Sequence, residues 1–288
     1  MEIFERSSQL KAQAAAWKKA GETIALVPTM GYLHEGHLSL IRLARQNGDR
    51  VVVSIFVNPT QFAPSEDLDS YPRDFERDAQ LCQKEGVDAI FHPAPGEMYA
   101  PDFSCWVKEE SLSQTLCGAS RPIHFRGVCT VCLKLFHLSL ADVAVFGMKD
   151  AQQLLIIQRM VRDLDVPIRI IPAPLVREAD GLALSSRNKY LSPTERIRAL
   201  AISRGLRRAQ EAFRNGERNS QALIGLVRQE LDAPDPLPVR IDYVELMDLD
   251  TLRPAQNAHG RTLLAVAVYV GKTRLIDNLF LDEADLRP

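Results

Sequence analysis

The chain has 288 residues, 46% of them apolar and 25% charged, with a formal net charge of -2. That length holds one large or two medium domains with an ample core, and the near-neutral charge excludes a global basic field for wrapping nucleic acid. No apolar run reaches the roughly 18–20 residues that span a bilayer, the N-terminal stretch MEIFERSSQLKAQAAAWKKAGE lacks a signal-peptide core, and Asn58-Pro59-Thr60 is barred from glycosylation by its proline. The expectation is a cytoplasmic protein with no nucleic-acid or membrane partner.

The first predicted strand, Thr23–Val27, runs into Pro28-Thr-Met-Gly-Tyr-Leu-His34-Glu-Gly-His37. Gly31 and Gly36 permit tight turning and close backbone approach. A helix beginning near His37 would aim free N–H groups and the positive end of its dipole at a ligand above it. His34 and His37 stand beside that start, where they can donate to phosphate oxygens and offset charge at an α-phosphate. The bland alternatives are surface residues near a cap, or half a zinc site, but no third ligand stands at a recognisable spacing.

The helical pattern Leu38–Asn47 leads to a second strand, Val51–Val57, and then to Asn58-Pro-Thr-Gln61 and Glu66-Asp-Leu-Asp-Ser-Tyr71-Pro-Arg73. A strand end, a proline turn and a polar amide suggest Gln61 pointing into a cleft, with ordinary turn chemistry as the alternative. A helix over Pro72–Glu85 and a strand over Ala89–His92 follow. Arg121, His124 and Arg126 then precede a buried helix, Val128–Leu138, and three cations at its positive end are most economically explained by an anionic ligand. Inside that helix Cys129-Thr-Val-Cys132 matches C-x-x-C. With five cysteines in all and no second pair, it reads as core packing rather than a redox or zinc site.

A strand at Val143–Phe146 ends in Gly147-Met-Lys149-Asp150-Ala-Gln152-Gln153, opening a helix over Ala151–Asp163. Asp150 can cap that helix, Lys149 can supply charge to phosphates, and Gln153 sits one turn inside. After a strand at Ile168–Ile171 comes Val176-Arg-Glu-Ala-Asp-Gly-Leu-Ala-Leu184-Ser185-Ser186-Arg187, whose hydroxyls and guanidinium suit phosphate charge as two domains close. Short apolar strands alternating with helices define a doubly wound α/β domain with a parallel sheet.

Beyond Arg187 the pattern changes. Ser192-Pro193-Thr194-Glu195 is a helix start with a serine N-cap, proline at N1 and glutamate at N3. Helices to Arg214 and over Ser220–Leu231, a loop at Ala233–Pro238, and β-rich runs at Arg240–Met247, Leu263–Val270 and Leu275–Phe280 complete a small α+β domain. Gly271-Lys272-Thr273 resembles the end of a Walker A loop, but Val266 stands where its first glycine belongs, and a hairpin turn is expected. The expected division is 1–187 and 188–288.

Taken together, PTMGYLHEGH, FVNPTQF with EDLDSYPR, RPIHFRGV, FGMKDAQQL and VREADGLALSSRNKYLS, in collinear order over nearly the whole chain, closely resemble the pantoate–β-alanine ligase family of the H-x-G-H nucleotidyltransferases. IDYVELMDLDTLRP is a weaker match. The resemblance implies a Rossmann-like domain with a smaller C-terminal lid, usually a homodimer, joining (R)-pantoate to β-alanine with ATP and Mg²⁺ through a pantoyl-adenylate. It implies ATP contacts at Met30, Gly31, Tyr32, Leu33, His34, Glu35, Gly36, His37, Gly147, Met148, Lys149, Asp150, Val176, Leu184, Ser185, Ser186 and Arg187. By the same resemblance His37, His34 and Lys149 serve catalysis, and Gln61 and Gln153 hold pantoate. Mg²⁺ is expected to be held through ATP and water, with Asp150 a candidate ligand. Ile123, Met148 and Ala151 depart from the family's common glycine, acidic residue and aromatic. Two alternatives stand beside this activity: another nucleotidyltransferase that keeps the nucleotide in its product, and a non-catalytic nucleotide-binding protein.

Overall fold

A computed structural model describes residues 1–64, 66–233 and 237–282. The centre of the predicted Ala233–Pro238 loop lies outside the described residues. The chain forms two compact units, Met1–Met148 with Gln152–Pro174, and Lys149–Ala151 with Leu175–Pro288.

The first unit is built on six parallel strands: β1 (Glu2–Phe4), β2 (Ile24–Thr29), β3 (Arg50–Ile55), β4 (Ala89–Phe91), β5 (Val143–Gly147) and β6 (Arg169–Ala173). Their spatial order is β1-β4-β3-β2-β5-β6. Between and around them run α1 (Ser7–Lys19), α2 (Glu35–Arg45), α3 (Phe75–Lys84), the short α4 (Pro95–Met98) and α5 (Leu116–Ser120), α6 (His124–Ser139) and α7 (Ala151–Asp163). Val51, Val52, Val53, Ala144 and Val145 are buried because a parallel sheet with helices on both faces leaves no strand face to water. Ala25, Val27, Val53, Ile90 and Val145 make one core with Leu38, Ile41 and Ala44 of α2. Successive crossovers run from β2 outward to β3 and β4, then return to place β5 on the other side of β2. That reversal puts the switch point of the sheet at the carboxyl ends of β2 and β5, where open α/β sheets bind ligands.

Each predicted strand is present, displaced by a residue or two. β2 and β6 continue through Pro28 and Pro172, each paired in register, with Ser54 and Phe146. β1 has no counterpart in the sequence reading; three residues carry too little pattern, and pairing with Ala89–Phe91 defines the strand. Cys129 and Cys132 are buried free thiols, as read from the sequence, and burial pushes the Cys129 thiol up to about 12.

In the second unit α8 (Pro193–Arg214) and α9 (Ser220–Leu231) lie against an antiparallel sheet of β7 (Val239–Asp248), β8 (Arg261–Val270) and β9 (Thr273–Asp282). The predicted capping box closes α8: Ser192 Oγ accepts from the Glu195 N–H at 3.3 Å, and Glu195 Oε2 accepts from the Ser192 N–H at 2.8 Å. Ala199, Ile202, Leu206, Ala209 and Phe213 bury one stripe of α8 against Leu264, Val266 and Val268 of β8. Val270 pairs with Thr273, so Gly271-Lys272 is a two-residue hairpin turn, and Gly271 adopts the φ of +56° that the turn needs.

Candidate active site

The loop from Met30 to His34 leaves β2 at the switch point. Gly31 and Tyr32 both lie in the left-handed region, with φ of 82° and 52°. Thr29 Oγ donates to the Ser54 carbonyl at 2.7 Å and accepts from the Gly31 N–H at 3.2 Å, anchoring the loop base to β3. From α3, Asp78 reaches in with one carboxylate oxygen accepting the Tyr32 N–H at 2.6 Å and the other the Leu33 N–H at 2.7 Å. Asp78 is 1% exposed. Burial pushes its carboxyl above the ordinary aspartate range, although the two N–H donors and Arg77 pull the other way.

The sequence places the helix start near His37. The helix begins at Glu35, with His34 as N-cap and His37 at its third position. Histidine is not among the usual N-cap residues, so cap rules do not mark this start. The His34 N–H donates to His37 Nδ1 at 3.3 Å, and the two rings lie 4.1 Å apart. With Nδ1 an acceptor, the ring proton of a neutral His37 resides on Nε2. The two histidines are thereby held side by side on the first turn of α2, where its free N–H groups and positive dipole end favour an anion.

Gln61 ends a 3-10 turn, Pro59–Gln61, just beyond β3 and is 7% exposed. Its Nε2 donates to Met30 Sδ at 3.1 Å, so the β3 turn touches the β2 loop. Its Oε1 accepts from Asn58 Nδ2 at 3.1 Å, and Asn58 Nδ2 also donates to the Gly127 carbonyl at 3.2 Å. Asn58 Oδ1 accepts from Thr60 Oγ and the Tyr99 hydroxyl, each at 2.9 Å. Gly127 sits so close that a Cβ there would lie 2.5 Å from the Thr60 carbonyl oxygen. Only glycine lets α6 approach this turn.

The helix starts four residues earlier than the sequence reading has it, so Arg121 precedes α6 while His124 and Arg126 lie in its first turn, and Arg121 and His124 meet groups of the protein itself. Arg121 donates to Glu66 Oε2 at 2.8 Å and to the Gln61 carbonyl at 3.3 Å. His124 Nδ1 lies 3.0 Å from the same carbonyl, and the Arg126 guanidinium lies 4.4 Å from the centre of the Trp106 ring. A carboxylate far away in sequence takes the Arg121 charge that the sequence reading gave to a ligand, whereas Arg126 stacks on an indole face with its Nε buried and not hydrogen-bonded. Burial raises Glu66, but Arg121 and the Ala63 N–H outweigh it and hold the carboxyl below the ordinary glutamate range.

Gly147 closes β5, and Met148 opens a 3-10 turn over Met148–Asp150. Lys149 lies 3.7 Å from Asp150, and its carbonyl accepts from Asn278 Nδ2 at 2.8 Å. On α7 the two glutamines differ. Gln152 is buried, bonding the Cys117 N–H and the Leu112 and Thr115 carbonyls, whereas Gln153 is half-buried. Val176 to Leu184 form a narrow hairpin: the Leu184 N–H donates to the Val176 carbonyl at 3.0 Å, and Gly181 turns at φ 96°. Arg177 grips Asp277 at 2.6 and 3.0 Å, and Ser185 Oγ accepts from the Arg187 N–H at 3.2 Å. Val176, Leu184, Ser185, Ser186 and Arg187 are all half-buried.

Sequence reasoning missed Asp78, Asn58 and Gly127 as supports. For Asp78 a signal existed: it stands four residues before Cys82, on the face of α3 that turns inward.

A parallel sheet whose switch-point loop carries two histidines on a helix N-terminus belongs to the nucleotide-binding α/β class. The model of one family, pantoate-beta-alanine ligase, matches residues 2–280. The chain is 54% identical over 286 residues to a pantothenate synthetase of Moorella thermoacetica, covering 99% of this chain and 100% of that one. A crystal structure of pantothenate synthetase from Thermus thermophilus superposes with a TM-score of 0.92 at 42% identity, covering 98% of this chain and 100% of that one. Another, of pantoate-beta-alanine ligase from Francisella tularensis complexed with beta-gamma ATP and beta-alanine, gives 0.77 at 32% identity, with 97% of each chain covered. The chain belongs to the pantoate–β-alanine ligase family.

Proposed function

We infer that the protein is an ATP-dependent ligase that condenses (R)-pantoate with β-alanine to pantothenate, releasing AMP and diphosphate. Family membership over residues 2–280 supports the activity. The observation that carries the site is the contact between Gln61 and Met30, which puts an amide suited to a small hydroxy acid against the histidine loop.

In the first step a pantoate carboxylate oxygen forms a bond to the α-phosphorus of ATP. The α–β bridging bond breaks, and diphosphate leaves with its electrons. Gln61 and Gln153 hold the acid for in-line attack, a positioning contribution. His37 Nε2, fixed as the donor because Nδ1 is occupied, and His34 stabilise charge developing on the α-phosphate. Lys149 and Arg187 add cationic charge, while Gly31–Leu33, Gly36, Gly147, Met148, Val176, Leu184, Ser185 and Ser186 contact the nucleotide. In the second step the neutral amine of β-alanine forms a bond to the acyl carbon, AMP leaves, and the amine loses a proton.

Among the described residues no group of three or more His, Cys, Asp or Glu side chains is placed to hold a metal. We propose that Mg²⁺ is held chiefly by phosphate oxygens and water, with Asp150 a candidate carboxylate. When bound, it would offset phosphate charge. We further propose a cytoplasmic homodimer.

Pantoate-dependent exchange of labelled diphosphate into ATP, with Mg²⁺ and without β-alanine, tests the reading. Exchange that requires pantoate, followed by AMP release on adding β-alanine, is the expected result. A stable nucleotide conjugate, or ATP binding with no exchange, would overturn it.

A further inference from the structure

Two successive left-handed residues shape the loop after β2, and the second, Tyr32, bears a side chain. A left-handed conformation costs an L-residue with a large side chain free energy that its surroundings must offset. That offset comes from α3. Asp78 takes the N–H groups of Tyr32 and Leu33 on its two oxygens, while the adjacent Arg77 donates to the Leu33 carbonyl at 3.0 Å and lies 5.6 Å from the centre of the Tyr32 ring. Both sides of the same short segment are thus held by two consecutive residues of one helix. A Cβ on Gly31 would stand 3.1 Å from Asp78 Oδ2, so the loop presses against this carboxylate.

Asp78 is too buried to touch a ligand, and its nearest cation, Arg77, stands 3.9 Å away on a side chain that is 48% exposed. An ionised carboxylate is costly in such a place. A neutral amide there would offer one acceptor and bring an NH₂ donor against the second N–H.

We propose that Asp78 and Arg77 are positioning residues for the reaction: they fix the turn that sets His34 and His37 on the first turn of α2. This rests on the reading of that loop as the phosphate site. Gln61 touches this loop through the weak sulfur acceptor of Met30, but Asn58 holds its amide and Arg121 and His124 meet its carbonyl, so the pair acts chiefly on turnover rather than on recognition of the acid.

The test compares Asp78→Asn, Arg77→Ala and Arg77→Lys with the parent protein, at temperatures where each is fully folded. For Asp78→Asn the Tyr32 and Leu33 amide resonances should shift and their solvent exchange should quicken by about tenfold or more. Its kcat in pantoate-dependent exchange should fall by about 10–10²-fold, misplacement of catalytic groups being that costly, with the pantoate KM within about twofold. Arg77→Ala should do the same more weakly, and Arg77→Lys should restore part of the loss. A folded Asp78→Asn protein with parental kcat, or a loss of activity with both amides unmoved, would overturn the proposal. If Asp78→Asn does not fold, Arg77→Ala at its half-exposed position carries both readouts. A parent protein with no exchange activity would remove the reading of function, while the amide measurements would still decide whether α3 shapes the loop.

Discussion

Two carboxylates brace two neighbouring turns of the first unit, and they do so at opposite thermodynamic sign. Glu66 holds the Gln61 turn through a charged partner, Arg121, and its carboxyl sits below the ordinary range. Asp78 holds the histidine loop through backbone N–H groups, and burial leaves its carboxyl above the ordinary range. A depressed acid pKa means that ionisation favours the folded state, and a raised one means that it opposes folding. One turn is therefore braced by a carboxylate whose ionisation favours the fold, and the other by one whose ionisation burial opposes while its hydrogen bonds hold the loop. The difference teaches where to look for function: a carboxylate placed against its own desolvation calls for a search for the shape its hydrogen bonds impose.

The largest expected effect lies on the histidine side. His37→Ala should lower kcat of diphosphate exchange by about 10²-fold or more, the usual loss for one transition-state donor, with little change in melting temperature. Near-parental turnover would erase the catalytic distinction between the two turns. On the other side, Gly127→Ala drives a methyl into the Thr60 carbonyl. Forced overpacking of this kind costs about 1–3 kcal/mol, readable as a shift in the denaturation midpoint. A neutral substitution would mean that α6 does not define the Gln61 turn.

Gln61→Ala should raise the pantoate KM by about tenfold, roughly 1.4 kcal/mol for a lost hydrogen bond to an anion, with a smaller change in the KM for ATP. Equal changes in both would merge the two turns into one functional element. The smallest effect is in pH dependence. The Glu66 contribution is fully present above the pKa of an unfolded glutamate and fades as pH falls through the depressed folded value. The stability gap between the parent protein and Glu66→Gln should therefore narrow on acidification, as followed by denaturant midpoints at successive pH values. A gap that widens would reverse the assigned sign.

Much of the fold was legible because periodicity and caps are local. Ser192, Pro193 and Glu195 announced α8, and the Gly271-Lys272 turn was readable from its flanking strands. The histidine loop and Gln61 were legible as motifs at strand ends. What escaped depends on partners distant in sequence. Glu66 neutralises a residue 55 positions away, which turned a supposed ligand site into an internal ion pair. Asp78 bonds backbone groups 45 and 46 residues earlier, and no helical pattern reveals an acceptor's destination. β1 exists only as an addition to β4.

The fixed orientation of Asn58 also gives the Gln61 amide a polarity. The Gly127 carbonyl, which can only accept, and the Thr60 N–H, which can only donate, orient the Asn58 amide so that Oδ1 meets the Thr60 and Tyr99 hydroxyls and Nδ2 faces Gln61 Oε1. That engages the Gln61 oxygen and leaves its NH₂ outermost, resting on the weak sulfur acceptor of Met30. A hydroxyl or carboxylate oxygen can displace so poor a partner, whereas an ammonium would bring donor against donor. If Gln61 holds the acid as proposed, selection between acid and amine would begin behind it, in the Asn58 amide that sets its orientation.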